Sequence, residues 1–155
     1  MIRLVNVTAE QKELLWNIHQ KYLYEMTNYY DNDIDESGNI HYGYFDAYFT
    51  DPKRTALLLY DDEQLIGFAL INPYSLIGRN PDHVLGEFTV FPKFRRHHNG
   101  LKAAELILET YPGQWEIKYN EHNTAARALW SRLTEKYDPE KYRYSDYETV
   151  LIFRA

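Results

Sequence analysis

Gly86-Glu87-Phe88-Thr89-Val90-Phe91-Pro92-Lys93-Phe94-Arg95-Arg96-His97-His98-Asn99-Gly100-Leu101 reads as a strand, a basic loop with a glycine, and the start of a helix. A helix N-terminus presents unpaired N–H groups and a partial positive charge, so a loop of this kind suits phosphate oxygens. The same residues also suit a solvated basic turn, and the stretch alone does not choose between the two.

Upstream lies a strand meander: Thr55 to Tyr60, a turn at Asp61-Asp62-Glu63, Leu65 to Ile71, a Pro/Gly-rich connection at 72–82, and Val84 to Phe91. Downstream, Leu101, Ala104, Ile107, Leu108 and Tyr111 mark an amphipathic helix ended by Pro112-Gly113. A strand at Trp115 to Tyr119 follows, and then a helix capped by Asn123 with Ala126, Leu129, Trp130, Leu133 and Tyr137 on its inner face. Glu148 to Phe153 closes the pattern as an apolar strand, with a shorter partner near Tyr142 to Tyr144. An exposed closing strand of this composition would suit a homodimer.

Toward the N-terminus, residues 2–7 read as a strand, and Thr8 with Gln11 forms a capping-box signature. The helix it opens is expected to reach about Tyr29, with Leu15, Ile18, Tyr22, Met26 and Tyr29 on one face. An acidic loop containing Asp31, Asp33, Asp35 and Glu36 comes next, then a short aromatic helix around Tyr42 to Phe49, stopped by Asp51-Pro52. The order β-α-α-β-β-β-α-β-α-β(β) implies one α/β domain over residues 1–155 with a mixed, mostly antiparallel sheet.

Composition narrows the function. The chain has 155 residues and no cysteine, which excludes disulfide scaffolds, cysteine-ligated zinc and thiol catalysis. A net charge of -6 argues against a nucleic-acid binder that works through a general basic surface. No apolar run of membrane-spanning length and no export signal is visible, so a cytoplasmic location is expected. The six histidines show no ligand spacing, and no metal site is expected. The anomaly is tyrosine, with 15 copies, about a tenth of the chain.

Two motifs at the right separation carry a resemblance to the GNAT superfamily of N-acetyltransferases. Glu87, Val90, Pro92, Phe94, Arg95 and Gly100 fall on that family's strand and acetyl-CoA loop pattern, Glu-x-x-Val-x-Pro-x-Tyr/Phe running into Arg/Gln-x-x-Gly-x-Gly/Ala. Asn123, Ala126, Leu129 and Trp130 match its downstream Asn-x-x-Ala-x-x-Leu-Tyr. The chain is also similar to a subgroup of uncharacterised predicted acetyltransferases.

The resemblance implies a sheet of six or seven strands flanked by about four helices and splayed at the fourth strand. It also implies an acetyl-CoA-dependent N-acetyltransferase acting on a primary amine of a small, cationic molecule. On that reading Phe88, Thr89 and Val90 hold the pantetheine arm, the N–H groups of residues Arg96, His97, His98, Asn99, Gly100 and Leu101 take the pyrophosphate with Arg95 or Arg96 adding charge, Asn123 meets the pantetheine amides, and Trp130, a core residue of its helix, touches the pantetheine arm with one edge. Glu87 is the general-base candidate, and Tyr29, Tyr30, Asp31 and Asp33 are candidates for gripping a cationic amine through ring faces and carboxylates.

Two positions depart from the pattern. His98 stands where the family places its first loop glycine and would have to accept positive φ, at a cost of about 1–2 kcal/mol. Trp130 stands where many members carry a tyrosine that protonates the departing thiolate, and an indole N–H cannot supply that proton. Both keep a competing reading open, a non-catalytic domain that binds a ligand or partner through the same fold.

Overall fold

The computed structural model describes residues 1–155. Seven strands form one sheet: β1 Ile2–Asn6, β2 Thr55–Asp61, β3 Gln64–Asn72, β4 His83–Val90, β5 Gln114–Asn120, β6 Glu140–Ser145 and β7 Glu148–Arg154. Their spatial order is β1-β2-β3-β4-β5-β7-β6, and every neighbouring pair is antiparallel except β4 and β5. Four helices flank it: α1 Lys12–Met26, α2 Ala47–Thr50, α3 Asn99–Thr110 and α4 Thr124–Thr134.

Strand alternation divides the core in two. On one face Leu57, Leu59, Ala69, Ile71, Leu85, Trp115, Ile117 and Leu151 pack against Ala103, Ala104, Ile107 and Leu108 of α3 and Trp130 and Leu133 of α4. On the other, Ala56, Leu58, Phe68 and Leu70 meet Leu15 and Ile18 of α1 and Phe45 and Tyr48 from around α2. His19 is sealed among the rings of Tyr22, Tyr42, Phe45 and Phe68 on that second face. Burial alone lowers its pKa to about 4, so it is a neutral core residue at physiological pH.

Several boundaries differ from the sequence reading. The first helix stops at Met26, and residues 27–30 continue as turns, so Tyr29 and Tyr30 leave the helical face and swing toward the sheet. The aromatic helix is a single turn, Ala47–Thr50, preceded by turns at Tyr42 and Tyr44. The apolar closing strand β7 is not exposed. It runs between β5 and β6, and the edge of the sheet is β6, whose Glu140, Lys141 and Arg143 discourage pairing with another chain. The basis for a dimer through β7 therefore falls away. No helix is long and apolar enough to cross a membrane.

Candidate active site at the splay of the sheet

The parallel pairing of β4 and β5 consists of His83 with Trp115, Val84 with Glu116 and Leu85 with Ile117, and goes no further. Both strands continue, β4 to Val90 and β5 to Asn120, so the sheet opens into a wedge beyond Leu85 and Ile117. Backbone N–H groups alternate between the two sides of a strand, so those of residues 88–90 that face β5 have lost their strand partner.

A bulge sits at the vertex of the wedge. Ile71 pairs with Leu85 and Leu70 with Glu87, which leaves Gly86 as the extra residue on β4. Without it, Glu87 would share the α3/α4 face with Leu85. With it, Glu87 lies opposite Leu70 on the α1/α2 face, while Phe88 and Thr89 resume the alternation opposite Ala69 and Phe68. Glycine suits the place, because an added Cβ would stand 3.1 Å from the Tyr48 hydroxyl and 3.2 Å from Asn72 Nδ2.

Burial raises the pKa of the Glu87 carboxyl from 4.5 to about 7, and the nearby Tyr22 hydroxyl and Lys118 ammonium act in the opposite direction. On the other face Phe88 meets Trp130 edge to face, with ring centroids 5.1 Å apart. Trp130 is buried. Thus β4 directs a carboxyl near neutrality to one side of the wedge and an aromatic wall to the other.

After β4 the chain makes a turn at Pro92–Phe94 and enters α3 at Asn99. Arg96 and His98 both adopt left-handed backbone, with φ of 73° and 59°. The requirement read at His98 is therefore met by the histidine itself, and Arg96 shares it. The helical ladder begins with Lys102 N–H donating to the His98 carbonyl at 2.9 Å. The N–H groups of Asn99, Gly100 and Leu101 have no partner within the helix and face the mouth of the wedge. An added Cβ at Gly100 would meet nothing closer than Leu129 Cδ2 at 3.7 Å, so the helix start is an open cradle. The side chain of Asn99 is tied to the loop, its Nδ2 donating to the Phe94 carbonyl at 2.9 Å.

Arg95 is held by partners within the protein. Its Nη1 and Nη2 each donate to Glu25 at 2.7 Å and its Nε donates to the Val90 carbonyl at 2.7 Å. The guanidinium is thereby occupied as a strut between the end of β4, the loop and α1, and the first N–H groups of α3 are left without a partner in the helix.

A cavity of about 660 Å³ fills the wedge. Phe88, Thr89, Val90, Arg95, Arg96, His98, Asn99, Gly100, Leu101, Asn123 and Trp130 line it with Glu87, Tyr29 and Tyr30. Asn123 reaches it while capping α4, its Oδ1 accepting from Ala126 N–H at 3.2 Å. His97 is exposed and outside the lining. Asp31 and Asp33 are also exposed and outside it, because Asp35 folds the loop back on itself by accepting from the N–H groups of Ser37 and Asn39. The tyrosine-rich segments supply the cavity with only Tyr22, Tyr29 and Tyr30; Tyr48 is core, and Tyr24 and Tyr44 are exposed.

Three lining residues escaped the motif reading. Tyr22 was legible only as a core position on α1. Tyr119 and Lys118 on β5 lie on opposite faces of the far lip, Tyr119 with the α3/α4 core and Lys118 toward α1. Lys118 Nζ is 2.9 Å from Glu148 Oε2 and lies over the rings of Tyr144 and Tyr30. Glu148 also accepts from the hydroxyls of Tyr30 at 3.0 Å and Ser145 at 3.1 Å. No group of three or more His, Asp or Glu side chains is arranged to hold a metal ion.

Comparison with known proteins agrees with this geometry. The model of a family described as the acetyltransferase (GNAT) family matches residues 13–134. No curated protein sequence matches the chain. Among solved structures, an acetyltransferase from Thermus thermophilus superposes with a TM-score of 0.72 at 15% identity, covering 100% of this chain and 97% of that one. The PaiA N-acetyltransferase of Thermoplasma acidophilum, solved in complex with coenzyme A, gives 0.63 at 11% identity over 100% and 99% of the two chains. NAA60 of Arabidopsis thaliana, solved in complex with acetyl-CoA, gives 0.63 at 10% identity over 99% and 98%.

Proposed function

Because the chain belongs to the acetyltransferase (GNAT) family, we propose that residues 1–155 act as one domain that transfers an acetyl group from acetyl-CoA to the primary amine of a small molecule. The observation that carries this reading is the bulge at Gly86, which sets Glu87 on the acceptor side of an open wedge whose other side leads to the α3 N-terminus. The residues present fit acetyl-CoA. The N–H groups of Asn99, Gly100 and Leu101 form an anion cradle, and the β5-facing N–H groups of residues 88–90 and the Phe88–Trp130 wall line the narrow part of the cavity. Bound acetyl-CoA supplies a thioester carbonyl as electrophile and a thiolate as leaving group.

The chain's own groups do the rest. An amine enters as an ammonium and must lose a proton to become nucleophilic. Glu87, half ionised near pH 7, accepts it, directly or through a water, and returns it to solvent. The unpaired N–H groups of β4 face the position where oxyanion charge develops. Tyr22, Tyr29 and Tyr30 wall the acceptor side and limit water.

The thiolate proton has a different source from the one the motif pattern supplies. Trp130 has none to give at neutral pH. Tyr22 and Tyr30 face the Glu87 side, and burial raises both well above the ordinary tyrosine value. Tyr119 is the cavity-lining tyrosine on the α3/α4 face, and it takes the acid's role in this proposal.

Isothermal titration with acetyl-CoA, followed by a thiol-release assay over an amine panel, tests the function. Saturable binding and amine-dependent thiol release are expected. No binding at millimolar acetyl-CoA would remove the transferase reading and leave a ligand-binding domain.

A further inference from the structure

Resting on the transferase reading above, we propose that the acceptor is a zwitterion of amino-acid type, its amine taken at Glu87 and its carboxylate held by Lys118. Strand pairing ends at Leu85 and Ile117, and both of those side chains belong to the α3/α4 face. The first charged side chains beyond them on the α1/α2 face are Glu87 on β4 and Lys118 on β5. One acid and one base thus stand on facing lips at the vertex of the wedge, where the strands have only begun to separate from a spacing of about 5 Å. A molecule whose amine and carboxylate are a few bonds apart spans that gap.

The remaining charges of the cavity are paired or belong to elements other than the two lips of the wedge. Its acids are Glu25 and Glu87, and its bases are Arg95, Arg96, Lys118 and Arg132. Glu25 and Arg95 neutralise each other through two hydrogen bonds. Arg96 and Arg132 belong to the α3 loop and to α4. An acceptor with a second positive charge finds no further unpaired carboxylate in the lining, because Glu25 is held by Arg95, Glu148 by Lys118, and Asp31 and Asp33 lie outside the cavity.

Lys118 is also presented for recognition. Glu148 holds its Nζ at 2.9 Å, and Tyr30 and Tyr144 fix the direction of its approach with their ring faces. Glu148 is nearly buried at 8% exposure, whereas Lys118 keeps 30%, so the ammonium is anchored without being enclosed. An ammonium has three N–H donors; Glu148 accepts from one, and the rings, 5.8 and 5.1 Å away at their centroids, act through their faces without taking up the others, so a donor is left for a carboxylate. A carboxylate there makes a charge-assisted bond in a partly dehydrated site, which favours it strongly over an acceptor that leaves the ammonium unpaired.

The experiment compares matched pairs that differ only in the carboxylate: L-phenylalanine with phenethylamine, L-leucine with isopentylamine and L-lysine with cadaverine. Binding to the protein is measured by calorimetry, and thiol release is measured separately with acetyl-CoA. At least one amino acid is expected to bind about tenfold or more tighter than its matched amine, the span of one hydrogen bond to a charged group. In Lys118→Met the ratio within the pair falls to near one, and in Lys118→Arg it recovers in part; circular dichroism checks that both variants fold. Equal or weaker binding of all three amino acids in the unaltered protein overturns the proposal, and so does a ratio unmoved in a folded Lys118→Met. Selective binding without thiol release would preserve the zwitterion site and remove the transferase reading. Thiol release with no preference in any pair would do the reverse.

Discussion

Arg95 and Glu25 meet through two parallel hydrogen bonds of 2.7 Å, joining the loop before α3 to the last turns of α1. The same guanidinium donates to the Val90 carbonyl, so one residue ties the end of β4, the loop before α3 and the α1 side of the cavity together. Both partners are about one third exposed, which limits their contribution to global stability. Their contribution to positioning is larger, because a bidentate pair fixes orientation as well as distance.

Glu25→Gln is therefore expected to lower stability by no more than about 1 kcal/mol while raising the KM for acetyl-CoA several-fold, with kcat less affected. Thermal melting and initial rates at varied acetyl-CoA separate the two effects. A fall in kcat alone, with KM unmoved, would show that the strut does not shape the cofactor cradle. The pair also weakens at acid pH: Arg95 holds the Glu25 carboxyl below its ordinary value, so its stabilisation is present above that value and is lost as pH falls and Glu25 takes up a proton.

Glu87 predicts a pH profile. Its carboxyl must be ionised to accept a proton, so kcat/KM is expected to rise with pH through about 7 and level off above it. Glu87→Gln should lower kcat by about 10²-fold or more and abolish that inflection. An unchanged inflection in the variant would assign the titration to another group.

The same residue predicts a cost to the fold. A carboxyl raised from 4.5 to about 7 binds its proton more tightly in the native than in the unfolded chain, so stability falls as pH rises through that window. Above it the native state carries a partly dehydrated negative charge, and Glu87→Gln is expected to stabilise the protein by on the order of 1–3 kcal/mol. Near pH 4 the gain should vanish. Melting curves at pH 4.5 and 8 for the two proteins check the sign.

Tyr119 and Trp130 predict opposite phenotypes. Tyr119→Phe keeps the ring that packs in the α3/α4 core and removes the hydroxyl, so kcat is expected to fall by about 10²-fold with little change in stability. Trp130→Phe alters the wall against Phe88 and costs packing, about 1–3 kcal/mol, without removing an acid. Equal turnover by Tyr119→Phe and the unaltered protein would mean that the thiolate leaves unassisted.

Gly67 is the position at which one methyl group reaches the site from outside it. A Cβ added there lands on the Thr89 carbonyl, within the backbone of the splayed strand. Gly67→Ala is expected to cost more than about 2 kcal/mol and to weaken acetyl-CoA binding, measured by denaturant unfolding and calorimetry. A variant with normal binding would mean that β4 adjusts without consequence for the wedge.

Local pattern was enough for the element order, for the cofactor-loop motif and for the demand for positive φ at His98. These depend on side-chain periodicity, turn chemistry and glycine spacing, all of which act over a few residues. The face taken by Glu87 was not readable, because a strand with period two gives each residue an even choice until a bulge resets it, and the bulge at Gly86 exists only in the register with β3. Arg95 was legible as a cation beside a phosphate loop, yet α1, seventy residues away in sequence, supplies the carboxylate that occupies it. Asp31 and Asp33 looked like an acceptor site by composition, and the turn at Asp35 carries them away from the cavity. Lys118 and Tyr119 carry no motif; their opposite roles come from the alternation of a strand whose neighbour has diverged. Sequence alone thus determined which elements form and that a strand, basic loop and helix start of the family's pattern is among them. Tertiary structure decided which charges face each other across the wedge, because that follows from register, bulge and long-range pairing, which no local pattern encodes.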